Sequence, residues 1–228
     1  MNDFKLSCVL FDLDGTLVDT APDLIACLNH TLAAYGLNPV SADHVKPFIS
    51  LGAMAMINAS VNDDVSESAR QAILETMLNR YEQNIANHTV FFAGMTETLA
   101  TIEQHGLKWG VVTNKRKRFT NNLMDALHLT ERAACIISGD STPNPKPHSD
   151  PMLAACEQAG VNPRECVYIG DASHDIEAGK SVQMKTIAAL YGYIKANDDP
   201  AAWGADIMVT SPEQLTHWIN AAYYAIKK

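Results

Sequence analysis

Apolar residues change their rhythm along this chain, and each rhythm predicts a different element. Leu6 to Phe11 form a short apolar run that stops at Asp12, the pattern of a buried parallel strand. From Pro22 the spacing becomes helical: Leu24, Ile25, Leu28, Leu32 and Tyr35 recur at three- and four-residue intervals and stop at Gly36. Thr20 reads as the cap of this helix, with Asp23 as the acidic residue three positions on. Further helices are predicted over roughly 42–49, 53–61 and 66–86. Ser66-Glu67-Ser68-Ala69 opens the last of them, and Ile73, Met77, Leu78 and Tyr81 form its apolar side. No strand pattern stands between Asp19 and about Thr89, so this stretch reads as a helical insertion after the first strand.

Beyond Phe91 the chain alternates. Helices are predicted near 96–105, 119–127, 151–159 and 176–182, with a closing helix from about Pro212. Strands are predicted at Trp109 to Thr113, Cys135 to Ser138, Cys166 to Ile169, Thr186 to Leu190 and Ile207 to Val209. Such alternation implies a parallel sheet with helices on both faces. The predicted fold is α/β: a Rossmann-like core formed by residues 1–18 and 90–228, with a small α-helical cap at 19–89.

Composition narrows the partners. The 228 residues carry a formal charge of −9. Only Lys115-Arg116-Lys117-Arg118 forms a basic run, which argues against a nucleic-acid or membrane-surface binder. This tetrad reads either as a solvated helix start or as a lure for an anionic substrate. No apolar run approaches the roughly 20 residues of a membrane span. Met1-Asn2-Asp3-Phe4-Lys5 leads straight into the first strand, leaving no room for a signal peptide. The five cysteines show no CxxC spacing and read as buried reduced thiols, so a cytoplasmic location is expected.

Candidate chemistry gathers where strands end, which is where ligands bind in open α/β sheets. Asp12 and Asp14 follow the first strand, Thr113 and Asn114 end another, and Asp171 and Asp175 follow Ile169-Gly170. Lys146 lies in a loop with Pro143, Pro145 and Pro147, which stiffen it. Two carboxylates as close as Asp12 and Asp14 repel unless a cation or a proton intervenes. A carboxylate attacking phosphorus needs a cation to screen the phosphoryl charge, an acid for the leaving oxygen and donors for the equatorial oxygens. Each need has a candidate among these residues.

The ordered set Asp12-Leu13-Asp14-Gly15-Thr16-Leu17, Thr113-Asn114, Pro145-Lys146-Pro147 and Gly170-Asp171 with Asp175 resembles the haloacid dehalogenase superfamily of phosphatases. The resemblance spans residues 9 to 175. It implies that Asp12 is the nucleophile forming an aspartyl-phosphate, and that Asp14 acts as general acid and then base. By the same resemblance Mg²⁺ would be held by the Asp12 carboxylate, the Asp14 backbone carbonyl and Asp171. Asp175 would orient a metal water or Lys146 from behind these ligands. Thr113 and the Asn114 backbone amide would hold phosphoryl oxygens, and Lys146 would neutralise their charge. The implied partner is a small phosphorylated metabolite. Phosphoglycolate and N-acetylmuramic acid 6-phosphate are the two candidates, the latter favoured by Tyr191-Gly192-Tyr193-Ile194. Met54 stands in a cap loop where relatives often carry an arginine that touches the substrate, which leaves the substrate open. His174 is assigned to the surface because Mg²⁺ prefers oxygen, and His148 reads as a satisfied loop histidine. The alternatives are a phosphomutase of the same superfamily, a dehalogenase, or a non-enzymatic phospho-accepting signalling domain.

Overall fold

The computed structural model describes residues 4–225. Met1, Asn2 and Asp3, on which part of the amino-terminal reading rests, lie outside the described residues, as do the last three residues of the predicted core. The first strand, β1 (Cys8–Phe11), is followed by β2 (Val18–Asp19), α1 (Ala21–Ala34), α2 (Ala42–Val45), α3 (Ala53–Ser60), α4 (Glu67–Gln83) and β3 (Val90–Phe91). Then come α5 (Met95–Gln104), β4 (Lys108–Val112), α6 (Lys117–Ala126), β5 (Cys135–Ile137) and α7 (Asp150–Ala159). The order closes with β6 (Cys166–Gly170), α8 (Ser173–Ser181), β7 (Lys185–Ala189), β8 (Ile207–Val209) and α9 (Pro212–Ala225).

Six strands form one parallel sheet in the order β5-β4-β1-β6-β7-β8. Alternate residues of β1 serve opposite layers, as the strand period requires. Val9 and Phe11 pack with Leu99, Ile102, Leu123, Leu215 and Ile219 on one face, whereas Cys8 and Leu10 pack with Met152, Ala155 and Ala178 on the other. Both faces are therefore covered, and the α/β Rossmann-like reading holds. β1 lies at the centre, with β4 and β5 on one side and β6, β7 and β8 on the other. The chain's direction of winding reverses there, so a crevice opens beyond its carboxyl end.

The helices between β2 and β3 close on a second core, formed by Leu28, Leu32, Val45, Ile57, Ile73, Met77 and Tyr81 and joined by Phe119 and Tyr193 from outside the insertion. Three local expectations are corrected. The insertion is bracketed by strand, because Val18–Asp19 pairs antiparallel with Val90–Phe91; two-residue strands have no period to read. The predicted helix over 42–49 is α only to Val45 and continues as a 3₁₀ turn, Lys46–Leu51. Pro47 has no N–H for the α-helical bond, so the tighter turn takes over. Thr20 makes no side-chain cap bond.

Asp23 serves a different purpose from capping. Its buried carboxylate accepts from His88 N (3.0 Å), Thr89 N (2.8 Å) and Thr89 Oγ1 (2.8 Å), tying the start of the insertion to its end. Asp23→Ala leaves those donors unpaired in the interior and is expected to cost about 3 kcal/mol, read as a lower urea midpoint with unchanged slope. No described helix is long and apolar enough to cross a membrane. The five cysteines are buried and unpaired.

Candidate active site

The turn after β1 builds the floor of the crevice. Asp12 N donates to Ile169 O (2.8 Å), continuing the pairing with β6, and then the chain turns sharply, with Leu17 N and Val18 N both donating to Leu13 O. Gly15 has φ +82°, and a Cβ on it would stand 2.2 Å from Asp171 Oδ2. Glycine is required there both by the backbone angle and by the carboxylate packed against it.

Asp12, Asp171 and Asp175 each place a carboxylate oxygen within 4.8 Å of the others, and all three are buried. Asp12 Oδ1 accepts from Leu13 N (2.7 Å) and pairs with Lys146 Nζ (3.0 Å). Asp171 Oδ2 accepts from Tyr193 N (2.7 Å) and Ser50 Oγ (3.1 Å), while its Oδ1 accepts from Thr16 Oγ1 (3.3 Å). Asp175 lies in the first turn of α8, which begins at Ser173 rather than near Ile176. Its Oδ2 accepts from Ala172 N (3.1 Å), and its Oδ1 pairs with Lys146 Nζ (2.7 Å). Lys146 Nζ also donates to Val112 O (3.0 Å) and the Tyr168 hydroxyl (2.8 Å), so the ammonium sits in a fixed socket of acceptors.

Asn114 holds the loop that carries this lysine. Its Nδ2 donates to Lys146 O (3.0 Å) and its Oδ1 accepts from Lys146 N (2.9 Å). The side chain therefore clamps the Lys146 backbone. Thr113 is buried at the end of β4, where its Oγ1 accepts from Lys115 N (3.2 Å). Asp14 stands apart from the three clustered carboxylates. Its Oδ1 accepts from Thr20 Oγ1 (2.5 Å) and Lys115 Nζ (2.9 Å).

Lys115 corrects the reading of the basic tetrad as a solvated helix start. Its side chain is only 8 % exposed and lies 4.6 Å from the centre of the Tyr81 ring. The alternation of β4 gave no sign of this, because Lys115 follows the strand and is buried by α4 of the insertion. His174 is likewise half-buried and lines the cleft, because the first turn of α8 faces it. His148 is exposed, and its ring lies 2.9 Å from Asp150, as expected of a satisfied loop histidine. Ser50 and Tyr168 were missed, and Thr16, Thr20 and Tyr193, named for a motif, a cap and a resemblance, were not expected to bond Asp171 or Asp14; isolated hydroxyls and a backbone amide leave no sequence pattern.

The electrostatics call for a cation. With all four ionised, the carboxylates of Asp12, Asp14, Asp171 and Asp175 outnumber the ammoniums of Lys115 and Lys146 by two. Burial, with Asp12 and Asp175 adding to it, pushes Asp171 up to about 8 from 3.8. Burial also raises Asp12 against the pull of Lys146. For Asp175 burial acts upward, but Lys146 reverses it and the net direction is down. Hard carboxylate oxygens with an excess of two charges fit a divalent ion such as Mg²⁺. A carboxyl raised in the folded state takes up a proton on folding, so Asp171 favours the folded state less and less as pH rises from about 4 to about 8. Metal-free protein is expected to melt at a lower temperature at pH 8 than at pH 5.5, with the gap narrowed by Mg²⁺; equal melting temperatures would contradict the shift.

A cavity of about 530 Å³ opens above these groups. Asp12, Asp14, Thr113 and Asn114 line its floor, and Leu51, Met54, Met56, Leu74 and Leu78 of the insertion line its roof. A second hollow, beside Leu6, Ser7 and Lys108, contains none of the residues singled out above.

Comparison with known proteins agrees with this geometry. The sequence is 40% identical over 222 residues to an N-acetylmuramic acid 6-phosphate phosphatase of Pseudomonas aeruginosa, covering 97% of this chain and 98% of that one. It is 39% identical over 215 residues to a phosphoglycolate phosphatase of Xanthomonas campestris pv. campestris, covering 94% and 96% respectively. A crystal structure from Haemophilus somnus 129pt, described as a predicted phosphoglycolate phosphatase, superposes with a TM-score of 0.83 at 26% identity, over 96% of this chain and 99% of that one. The sequence pattern that defines the haloacid dehalogenase-like hydrolases matches residues 9–189. With that match across most of its length, the chain belongs to the haloacid dehalogenase-like hydrolase family.

Proposed function

We propose that this protein is a Mg²⁺-dependent phosphomonoester hydrolase working through an aspartyl-phosphate on Asp12. The observation that carries the reading is the single cluster of Asp12, Lys146, Asp171 and Asp175 at the carboxyl end of β1, assembled from three distant parts of the chain. Asp12 Oδ1 is fixed by Leu13 N and Lys146, which leaves Oδ2 to attack phosphorus. Thr113 Oγ1 and the Asn114 N–H hold the equatorial oxygens, and the Lys146 ammonium beside Asp12 neutralises their charge. Asp14 has Oδ1 occupied by Thr20 and Lys115, so Oδ2 carries the proton to the leaving oxygen and later takes one from water. Asp12, Asp171 and the Asp14 carbonyl would hold the ion, with Asp175 fixing Lys146 behind them. When bound, Mg²⁺ screens the charge of the transferring phosphoryl group.

Residues 19–89 act as a cap over the leaving group, with 1–18 and 90–228 as the catalytic core. The cavity is in the range of sites for medium-sized ligands, and phosphoglycolate would fill little of it. Its size and the similarity to the Pseudomonas enzyme favour N-acetylmuramic acid 6-phosphate. The free thiols suit a cytoplasmic setting. Phosphate release from N-acetylmuramic acid 6-phosphate, faster than from 2-phosphoglycolate and abolished by EDTA, is the expected result. Return of an isomeric phosphate ester, or turnover unaffected by EDTA, would overturn it.

A further inference from the structure

The cavity above the candidate phosphoryl site has two unlike walls. Its roof, from the insertion, is mostly apolar, with Leu51, Met54, Met56, Leu74 and Leu78, and carries one acid, Glu75, which accepts from Gln71 Nε2. The wall following β4 is basic, formed by Lys115, Arg116 and Arg118. In a chain with a formal charge of −9, three cations on one wall of one cavity require an explanation. They are not equivalent. Lys115 is held by Asp14 at 2.9 Å. Arg118 lies 3.9 Å from Glu82 and 4.4 Å from the centre of the Phe119 ring, so it is partly engaged. Arg116 is exposed at the amino end of α6, and while its carbonyl accepts from Phe119 N, Thr120 N and Thr120 Oγ1, its guanidinium makes no ion pair or hydrogen bond to another described residue.

The phosphoryl charge already has its own partners in Lys146, Thr113 and the cation. A further guanidinium on the wall of the leaving-group space suits a second anion, and its planar fork matches a carboxylate. We propose that Arg116 determines specificity by reading a carboxylate on the organic part of the substrate, so that the enzyme prefers phosphomonoesters of carboxylic acids. Arg118, beside it on the same wall, adds to the field that draws this group in. The insertion offers Met54 and other apolar side chains together with the acid Glu75, so the positive charge of the cavity comes from the core side. This inference rests on the phosphatase reading above and narrows its substrate class.

The test compares esters that share a phosphate and differ in the acid. N-acetylmuramic acid 6-phosphate is paired with N-acetylglucosamine 6-phosphate, which lacks the lactyl acid, and 2-phosphoglycolate with ethyl phosphate. Steering of the phosphate cancels within each pair. The wild type is expected to favour the acid of at least one pair, and Arg116→Ala to reduce that preference roughly tenfold, mainly through the KM of the acid. Arg116→Lys, which keeps the charge and loses the fork, should fall between them. An unchanged preference in Arg116→Ala, or a wild type that favours the neutral ester of both pairs, would overturn the proposal while leaving the phosphatase reading intact. Failure of the wild type to hydrolyse any of the four would overturn both. Arg116 is exposed, so the variants should melt with the wild type.

Discussion

Asp12→Asn is expected to lower phosphate release by roughly four orders of magnitude or more, the scale seen when a covalent nucleophile is removed. The amide keeps the shape of the carboxyl and an oxygen to accept from Leu13 N, which lies 2.7 Å from Asp12 Oδ1. Lys146 retains Asp175 at 2.7 Å, so no buried charge is stranded. Burial already disfavours the charged form of Asp12, which makes the neutral replacement tolerable in the fold. Activity and stability should therefore separate: turnover collapses while the melting temperature stays level or rises. Substantial residual turnover would remove Asp12 from its role, whereas loss of folding would show that its charge is structural.

Lys146→Ala is expected to damage both properties. Its ammonium is fully buried and bound to Asp12, Asp175, Val112 O and the Tyr168 hydroxyl. The surrounding carboxylates hold its proton firmly in spite of burial, so the charge is present at any ordinary pH. Removing it leaves Asp12 and Asp175 facing each other in the interior, and breaking a buried pair from one side typically costs about 3–5 kcal/mol. Chemical denaturation should show a loss of that size, and turnover should fall with it because the positive charge beside Asp12 and the phosphoryl group is gone. Added Mg²⁺ should recover part of the stability, as a second source of positive charge beside the same carboxylates. A variant as stable as the wild type would mean that the carboxylates find another partner.

These expectations rest on side chains of unequal legibility. The strands of the sheet could be read because each is a short, mainly apolar run, four of them closed by Asp12, Thr113, Gly170 and Thr210, and the alternation of strand with helix implied the parallel class. Asp12, Asp14, Thr113, Lys146, Asp171 and Asp175 stood out because polar groups at strand ends have no use in a core. The structure brings Asp12, Lys146, Asp171 and Asp175 into one cluster, and Asp14 and Thr113 line the same cavity as Asp12. What escaped was set by contacts across the chain. Lys115 looked like one member of a solvated run until α4 covered it. Asp23 looked like the acidic partner of a Thr20 cap until His88 and Thr89 arrived from the far end of the insertion. Ser50 carries no local signal, yet it ties the 3₁₀ turn of the insertion to Asp171 across 121 residues of sequence. Two-residue strands such as Val18–Asp19 are likewise invisible to any periodicity.

The central claim is that Asp12 accepts a phosphoryl group beside a divalent ion held by its neighbours. A crystal structure of the protein with Mg²⁺ and beryllium trifluoride, a stand-in for a phosphoryl group on a carboxylate, tests it most directly. The account predicts beryllium bonded to an Asp12 carboxylate oxygen and Mg²⁺ against Asp12, Asp171 and the Asp14 carbonyl, with Lys146 and Thr113 on the fluorides. Beryllium trifluoride on another residue, or Mg²⁺ bound away from Asp12 and Asp171, would contradict it.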